Sequence, residues 1–454
     1  MKKAISFIMS MAIAGSCCAL NIKADNSHAV SALIIVEEGT YEIDSSSALE
    51  YIITDRGRLG IRRYSGTASE VVIPSEINGN KVNYICSGAF RDCTEMTSVT
   101  IPDSIDEIIG GAFKGCTGLT SITIPDGIFE ICDNTFNGCT NLRSVTLPDN
   151  LEIIGIGAFE NCTSLEDINI PSNIKYVLHD AFTNTKWYDD KPDGFVAIGN
   201  MLYKYKGEMP ENSSITIPDN IKYIGDEAFR GYSNMTSVTI PEGVEEIRNG
   251  VFQDCTGLTS ITLPSTLYDM WNGIFEDCTG LTSVTIPEGV KYVYNSTFRG
   301  CTNLSSVTLP SSLKAITSYA FEDCTALTSI TIPEGADYLM NNVFKGCKNL
   351  TKVTIPKSME IIEEDVFLDC SPNLTIYGYK NTVAEKYAKD NNIKFSALDE
   401  STSSQSATAA KTTTTTAKVK TDSPKTGDKG VAGVFAAGIS AAALAFMSLK
   451  KRRK

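Results

Sequence analysis

One phrase recurs along this chain at a fixed pitch. Its phenylalanines are Phe90, Phe113, Phe136, Phe159, Phe182, Phe229, Phe252, Phe275, Phe298, Phe321, Phe344 and Phe367, and every step is 23 residues except one of 47. A period of this size leaves few choices. Each phrase is one structural unit that cannot bury its apolar face alone, so neighbouring units stack into a solenoid.

The unit that begins at Phe113 shows how a coil is built. Its apolar places are Cys116, Leu119, Ile122, Ile124, Ile128 and Ile131. Ile122 and Ile124 alternate with Ser121 and Thr123, the period-two pattern of a strand with one face inward. Pro125 lacks an N–H and ends that strand. Ile128 and Ile131 stand three apart and supply a second inward side, and Phe136 and Cys139 follow, with Gly138 at the bend. Parallel strands stack ~4.7–4.9 Å apart, so a dozen coils make a rod of roughly 60 Å.

The solenoid is assigned to residues 51–372, with Tyr51 to Val82 as an atypical first segment and residues 183–209 as an irregular coil inside the long step. Residues 25–50 form an N-terminal segment. The period breaks again in residues 373–398, where Val383 to Lys389 suits a short helix and Ile393-Lys394-Phe395 a closing strand. The expected fold is therefore a leucine-rich-repeat-like solenoid of 23-residue coils. It has a parallel β-sheet on one face, short helical or irregular segments opposite, and a small α/β C-terminal cap.

The Leu-x-x-Ile-x-Ile-Pro and Ala-Phe-x-x-Cys-Thr patterns resemble the BspA-type, or treponemal-type, bacterial leucine-rich repeats over about Tyr51 to Leu398. The resemblance implies a leucine-rich-repeat solenoid on a surface protein that binds host matrix proteins or other cells. It carries over no binding residues, because the family shares none.

Both ends carry segments of another kind. Lys2 and Lys3 precede an apolar run from Ala4 to Leu20. This is the pattern of a secretory signal, residues 1–24, with cleavage after Ala24 or after Ala19. A lipoprotein reading would use Cys17, but Ala14 stands where leucine is usual. Residues 399–422 are a Ser/Thr-rich linker with little to bury. Then come Ser423-Pro424-Lys425-Thr426-Gly427, an apolar run from Val431 to Leu449 long enough to span a bilayer, and a basic tail ending at Lys454.

That order resembles the cell-wall sorting signal of Gram-positive surface proteins. Ser423 stands where leucine is usual, as in the Ser/Pro-Pro-x-Thr-Gly variant. The resemblance implies sortase cleavage between Thr426 and Gly427 and covalent transfer of Thr426 to peptidoglycan, with residues 428–454 in the membrane only before sorting. The alternative is a plain membrane anchor. On the sorting reading the protein is secreted and held in the wall. Removing three N-terminal lysines and a segment of net +5 after Thr426 takes the formal charge from -14 to about -22. So acidic a chain offers no basic stripe to nucleic acid.

Fourteen cysteines in an exported chain usually mean disulfides. Here ten of them (Cys93, Cys116, Cys139, Cys162, Cys255, Cys278, Cys301, Cys324, Cys347, Cys370) lie three residues after a repeat phenylalanine. Stacking makes them a ladder of small buried thiols, a role that free Cys fills well. Thr185 and Tyr232 take the same place in two coils. Cys86 and Cys132 fall outside the ladder and are expected on the outward, reactive side. Metal binding would call for CxxC pairs or histidine partners, and the chain has no CxxC and only His28 and His179. Neither histidine has a nucleophile partner in its repeat, no glycine loop cradles a phosphate, and acids such as Glu245 and Glu246 read as solvated surface. No cofactor and no enzymatic activity are expected.

Two surfaces remain for function. The outward strand positions are nearly all Thr and Ser, for example Thr120, Ser121, Thr123, Thr259, Ser260, Thr262, Thr282, Ser283 and Thr285. They either simply suit an exposed strand or form a flat docking face. After each proline the fourth, fifth and seventh residues should point out. There stand Tyr268 and Trp271, Tyr292 and Tyr294, and Tyr338 and Met340, with Tyr176 and Tyr223 in earlier coils. Stacking should bring Trp271, Tyr292 and Tyr294 together. They either bind a protein partner, as clustered Trp and Tyr often do, or cover the solenoid's own flank. The expected function is an adhesin-like binder of host or bacterial surface proteins. The alternative is a structural or interbacterial wall protein without a specific host ligand.

Overall fold

The computed structural model describes residues 35–398 apart from residues 45, 46 and 173. The expected signal peptide, linker, sorting motif, apolar span and basic tail all lie outside the described residues.

Each coil carries two short strands and a run of tight turns. The first strand is the Ser-x-Thr segment: Ser121–Thr123 pairs in parallel with Ser144–Thr146, in a register of 23 residues. Its central residue faces inward, so Ile122 is buried between exposed Ser121 and Thr123. The proline that follows turns the chain, and the N–H of Ile128 returns to the carbonyl of Pro125 at 3.1 Å. A second, two-residue strand then pairs coil to coil in the same register, as Glu130–Ile131 does with Ile153–Ile154. The third side is the irregular segment expected from the sequence. Its backbone groups are also satisfied by the next coil: the Phe113 N–H donates to the Thr135 carbonyl at 2.9 Å, and the Gly115 N–H to that of Asn137 at 2.8 Å.

The residue before each ladder cysteine must take a left-handed conformation. Gly115, Gly138, Gly300 and Gly346 do so freely, and Asp92, Asn161, Asp254, Asp277, Asp323 and Asp369 do so with φ between 55° and 61°. That explains why only Gly, Asn or Asp occupies this column.

The core is a column of rings. Phe113, Phe136, Phe159 and Phe182 stack at 5.4–5.5 Å and within 7° of parallel. A second run continues from Phe229 to Phe367. Between the runs the irregular coil substitutes other aromatics. Its short helix Lys186–Asp189 is capped by the Thr185 hydroxyl, which accepts from the Tyr188 N–H. Trp187 lies 4.5 Å from Phe182 by ring centroids, and Tyr203 meets Phe182 edge-on at 6.0 Å. The Phe182 N–H, which in other coils donates to a backbone carbonyl, here donates to the Tyr203 hydroxyl at 3.1 Å. A hairpin of Gly194–Ile198 and Met201–Lys206 then rejoins the second ladder, Met201 opposite Tyr223. The buried apolar side chains accordingly form two clusters that meet in this coil.

The ends are capped differently. Strands Ile35–Asp44, Ser47–Thr54 and Leu59–Ser65 make an antiparallel meander, and the third pairs in parallel with Asn80–Ile85 to start the second ladder. The middle strand runs across the division drawn at residue 50. Tyr64 begins the ring column, 5.6 Å from Phe90. At the other end the helix Val383–Asp390 buries Ala384 and Ala388, sets Tyr387 edge-on to Phe367 at 5.9 Å, and is followed by strand Lys394–Ala397 on Thr375–Gly378.

The described cysteines are all free. In the ladder, each thiol from Cys116 onward donates to the carbonyl of the phenylalanine one coil back, at 2.9–3.2 Å, as Cys278 does to Phe252 at 3.0 Å. The two cysteines outside the ladder differ from expectation. Cys132 is buried, because Gly155 lets the next coil close over it: a Cβ there would stand 2.8 Å from the Cys132 carbonyl carbon. Cys86 is half-buried, and burial pushes its thiol up to about 11, away from the reactive thiolate.

Candidate binding face

The outward side of the second ladder is the surface that varies. On a two-residue strand, the first residue and the one just after the strand share a face, so each coil presents a pair. From Tyr176 to Met340, the buried Met201 and Tyr203 of the irregular coil left aside, these are Tyr176 and Leu178, Tyr223 and Gly225, Glu246 and Arg248, Asp269 and Trp271, Tyr292 and Tyr294, Ala315 and Thr317, then Tyr338 and Met340.

The expected aromatics separate into two places. Tyr268 is 49% exposed, while Trp271, Tyr292, Tyr294, Tyr338 and Met340 are half-buried. The Tyr292 and Tyr294 rings touch at 5.6 Å. Trp271 does not pair with them. Its ring partner is Arg248, whose guanidinium lies 4.5 Å from the Trp271 centroid and 4.3 Å from that of Tyr176. Tyr338 and Met340 stand apart, because Ala315 and Thr317 interrupt the row; the Tyr338 hydroxyl donates to Glu363, and the Ser318 hydroxyl approaches the Met340 sulfur at 3.9 Å.

The charged side chains beneath these rings escaped the sequence reading. Glu246, expected to be solvated, is 7% exposed, as is Arg248, and Asp226 is 4% exposed. One coil back in its column stands Gly225, which has no side chain, and the guanidinium reaches the Tyr176 ring beyond it. Arg248 Nε stands 3.6 Å from Asp226 Oδ1, and its Nη1 4.0 Å from Glu246 Oε2. Asp226 Oδ1 is held by the backbone and side-chain N–H groups of Asn249 at 2.9 and 3.0 Å. The Tyr268 hydroxyl donates to Glu246 Oε1 at 2.8 Å. Burial, followed by the Glu246 charge, raises the Asp269 carboxyl to about 6. A column reading at the 23-residue pitch would have found Arg248, since that place holds Cys132, Gly155 and Leu178 before it.

The other expected surface is quieter. In several rows the first threonine turns its hydroxyl back onto the solenoid, Thr259 onto the Thr236 carbonyl at 3.0 Å and Thr120 onto that of Thr97 at 3.3 Å. Part of the ladder is thus spent on coil-to-coil bonding. His179 pairs with the Asp180 carboxylate at 3.2 Å. Among the described residues no group of three or more His, Cys, Asp or Glu side chains is placed to hold a metal ion, and no helix is long and apolar enough to cross a membrane.

The family described as "BspA type Leucine rich repeat region (6 copies)" matches residues 64–188, 197–298 and 270–395. No curated protein matches. Among solved structures, a leucine-rich repeat protein from Bacteroides ovatus is 26% identical, with 81% of this chain and 100% of that chain covered and a TM-score of 0.37. A leucine-rich cell surface protein from Faecalibacterium prausnitzii is 22% identical over 78% of this chain and 97% of that one, TM-score 0.34. The pneumococcal vaccine antigen PcpA is 16% identical over 80% and 99%, TM-score 0.31.

Proposed function

Since the chain belongs to the BspA-type leucine-rich-repeat family, we propose that it is an exported, wall-anchored binder of proteins on host or bacterial surfaces. The solenoid is the rigid platform, residues 399–422 the tether, and Thr426 the point of attachment. The role proposed is binding and not catalysis.

One observation carries this reading. Four aromatics, Tyr268, Trp271, Tyr292 and Tyr294, lie on adjacent coils of one flank with Arg248 packed beneath Trp271. Trp, Tyr and Arg dominate the energetics of protein interfaces, because rigid rings bury much area at little entropic cost. The two coils are tied by backbone bonds, the Gly273 N–H to the Asn295 carbonyl and the Phe275 N–H to the Thr297 carbonyl, both at 2.9 Å, so ordering the rings on binding costs little more.

The test is binding of the purified chain to immobilised host matrix proteins and to cells. Replacing Tyr268, Tyr292 and Tyr294 by Ala should weaken binding tenfold or more while leaving the melting temperature within a few degrees. Unchanged binding by a folded variant removes this flank from the account. Anchoring is tested separately. Thr426→Ala should move the protein from the covalent wall fraction to the membrane or medium, and retention in the wall would refute the sorting reading.

A further inference from the structure

Among the described residues, five buried side-chain nitrogen or oxygen atoms have no hydrogen-bond partner, and three of them lie together: Glu246 Oε2, Arg248 Nε and Trp271 Nε1. Buried polar atoms are nearly always satisfied, so these ask for partners from outside, Glu246 Oε2 for a donor and the Arg248 and Trp271 N–H groups for acceptors. The charges there do not balance either. Glu245 is matched by Lys222 at 3.2 Å. Glu246, Asp226 and Asp269, however, share the single cation Arg248.

The patch lacks positive charge, and rings surround the deficit. The negative faces of tyrosine and tryptophan rings attract cations, most strongly where water is excluded. Tyr268 is the exposed cover, its hydroxyl resting on Glu246 Oε1. Tyr292 and Tyr294 stand on the far side of Asp269 in the next coil.

We propose that this patch receives a basic side chain, lysine or arginine, from a protein partner, with Asp269 and Glu246 meeting its charge and Tyr268, Tyr292 and Tyr294 walling it. The proposal rests on the protein-binding reading and names what that partner must present. An ammonium or guanidinium entering beside Tyr268 gives Glu246 Oε2 the donor it lacks and brings the acidic cluster closer to neutrality. A neutral sugar would offer ring stacking but no charge, and a peptide rich in acids would be repelled.

The probe is acetyl-trilysine-amide, titrated into the purified full chain by calorimetry. Parallel titrations use its fully Nε-acetylated form, acetyl-triglutamate-amide and maltotriose. Trilysine should bind saturably, the acetylated form at least tenfold more weakly, and the other two not at all. Asp269→Asn should weaken trilysine at least tenfold, and Asp269→Glu should recover most of the loss. In a Trp187→Phe background Trp271 is the sole tryptophan, and trilysine should change its emission. If that variant fails to fold, the difference between wild type and Trp271→Phe reads the same site. Equal binding of the acetylated peptide, tighter binding of maltotriose, or an unaffected Asp269→Asn variant overturns the proposal. Asp269→Asn also separates the two readings. If it still captures a matrix protein that the tyrosine-to-alanine variant has lost, the protein-binding face stands and the basic-residue site falls. If trilysine binds as expected while no matrix protein or cell is bound, the reverse holds.

Discussion

Phe298 tests whether the ring column is what holds the second half of the solenoid. Its side chain is fully buried, with Phe275 on one side at 5.4 Å and Phe321 on the other at 5.2 Å, both within 13° of parallel. Removing such a ring costs ~3–5 kcal/mol through lost transfer energy and the cavity left behind. The upper end applies here. The flanking rings are fixed by backbone bonds to their own neighbours, so the gap cannot close, and two stacked pairs are lost at once. We therefore expect Phe298→Ala to cost about 5 kcal/mol, which at ~2 kcal/mol per molar of urea lowers the midpoint by about 2.5 M. In a stack of nearest-neighbour contacts that loss should stay local. The chain's two tryptophans let this be seen. Trp187 packs against the first core cluster, while Trp271 belongs to the coil whose Leu267, Met270 and Phe275 lie in the second. Urea unfolding of Phe298→Ala, followed in Trp187→Phe and in Trp271→Phe backgrounds, should show the Trp271 transition moved by the full amount and the Trp187 transition by less than about 1 kcal/mol. Phe113→Ala should give the opposite pattern. A loss below about 1 kcal/mol would show that the column does not hold this half, and equal movement of both reporters would show one cooperative unit.

Three further substitutions probe other parts of the same structure. Tyr203→Phe removes the acceptor of the Phe182 N–H and should cost ~1–3 kcal/mol, read as a lower melting temperature; an unchanged melt would mean that the N–H finds another partner. Tyr319 holds φ at 62° in a bend column where Gly88, Gly111, Gly250 and Gly273 stand in other coils. Tyr319→Gly should therefore raise stability by about 1 kcal/mol, and a fall would show that its half-exposed ring contributes more than the strain removes. Asp269 gives a pH signature: its carboxyl is raised from 3.8 to about 6, chiefly by burial and then by Glu246. The folded state thus holds the proton longer than the unfolded, and stability should fall as pH rises from about 4 to 6 and stay flat above. At ~1.4 kcal/mol per pKa unit, discounted for partial exposure, Asp269→Asn should be about 1–2 kcal/mol more stable at pH 7 and lack that fall. A wild-type profile flat across this window would sink the assignment.

How far the sequence could be read depends on which neighbour decides each place. The coil and its stacking were legible because one rule is written a dozen times: Ile122, Pro125, Phe136 and Cys139 each repeat at a pitch of 23. The left-handed bends were legible for the same reason, since Asp92, Gly115 and Asn161 are the residues that tolerate them. Positions on the flank obey no such rule. Whether Cys132 is open depends on Gly155 in the next coil, and whether Glu246 is solvated depends on Tyr268, also one coil on. Arg248 is buried between the ring of Tyr176, which lies beyond the irregular coil, and that of Trp271, one coil on. Reading along the chain misses such contacts, while reading down a column at the repeat pitch brings them side by side. The same logic explains why Tyr338 and Met340 do not join the aromatic face: Ala315 and Thr317 stand between.

The flank also runs against the grain of the fold. Elsewhere a coil's outward residues are solvated or bonded to a neighbouring coil, as Thr259 is to Thr236 one coil back. Around Asp269 the chain instead half-buries a carboxyl beside a second acid, leaves three polar atoms without a hydrogen bond, and packs rings around them. Each of these choices lowers stability, and none is forced by the repeat, because the Ala315 and Thr317 coil uses the same backbone without them. A scaffold that only had to stand would gain by replacing Asp269. On the proposed binding reading, that cost is carried in the free state and recovered when the partner's basic side chain arrives.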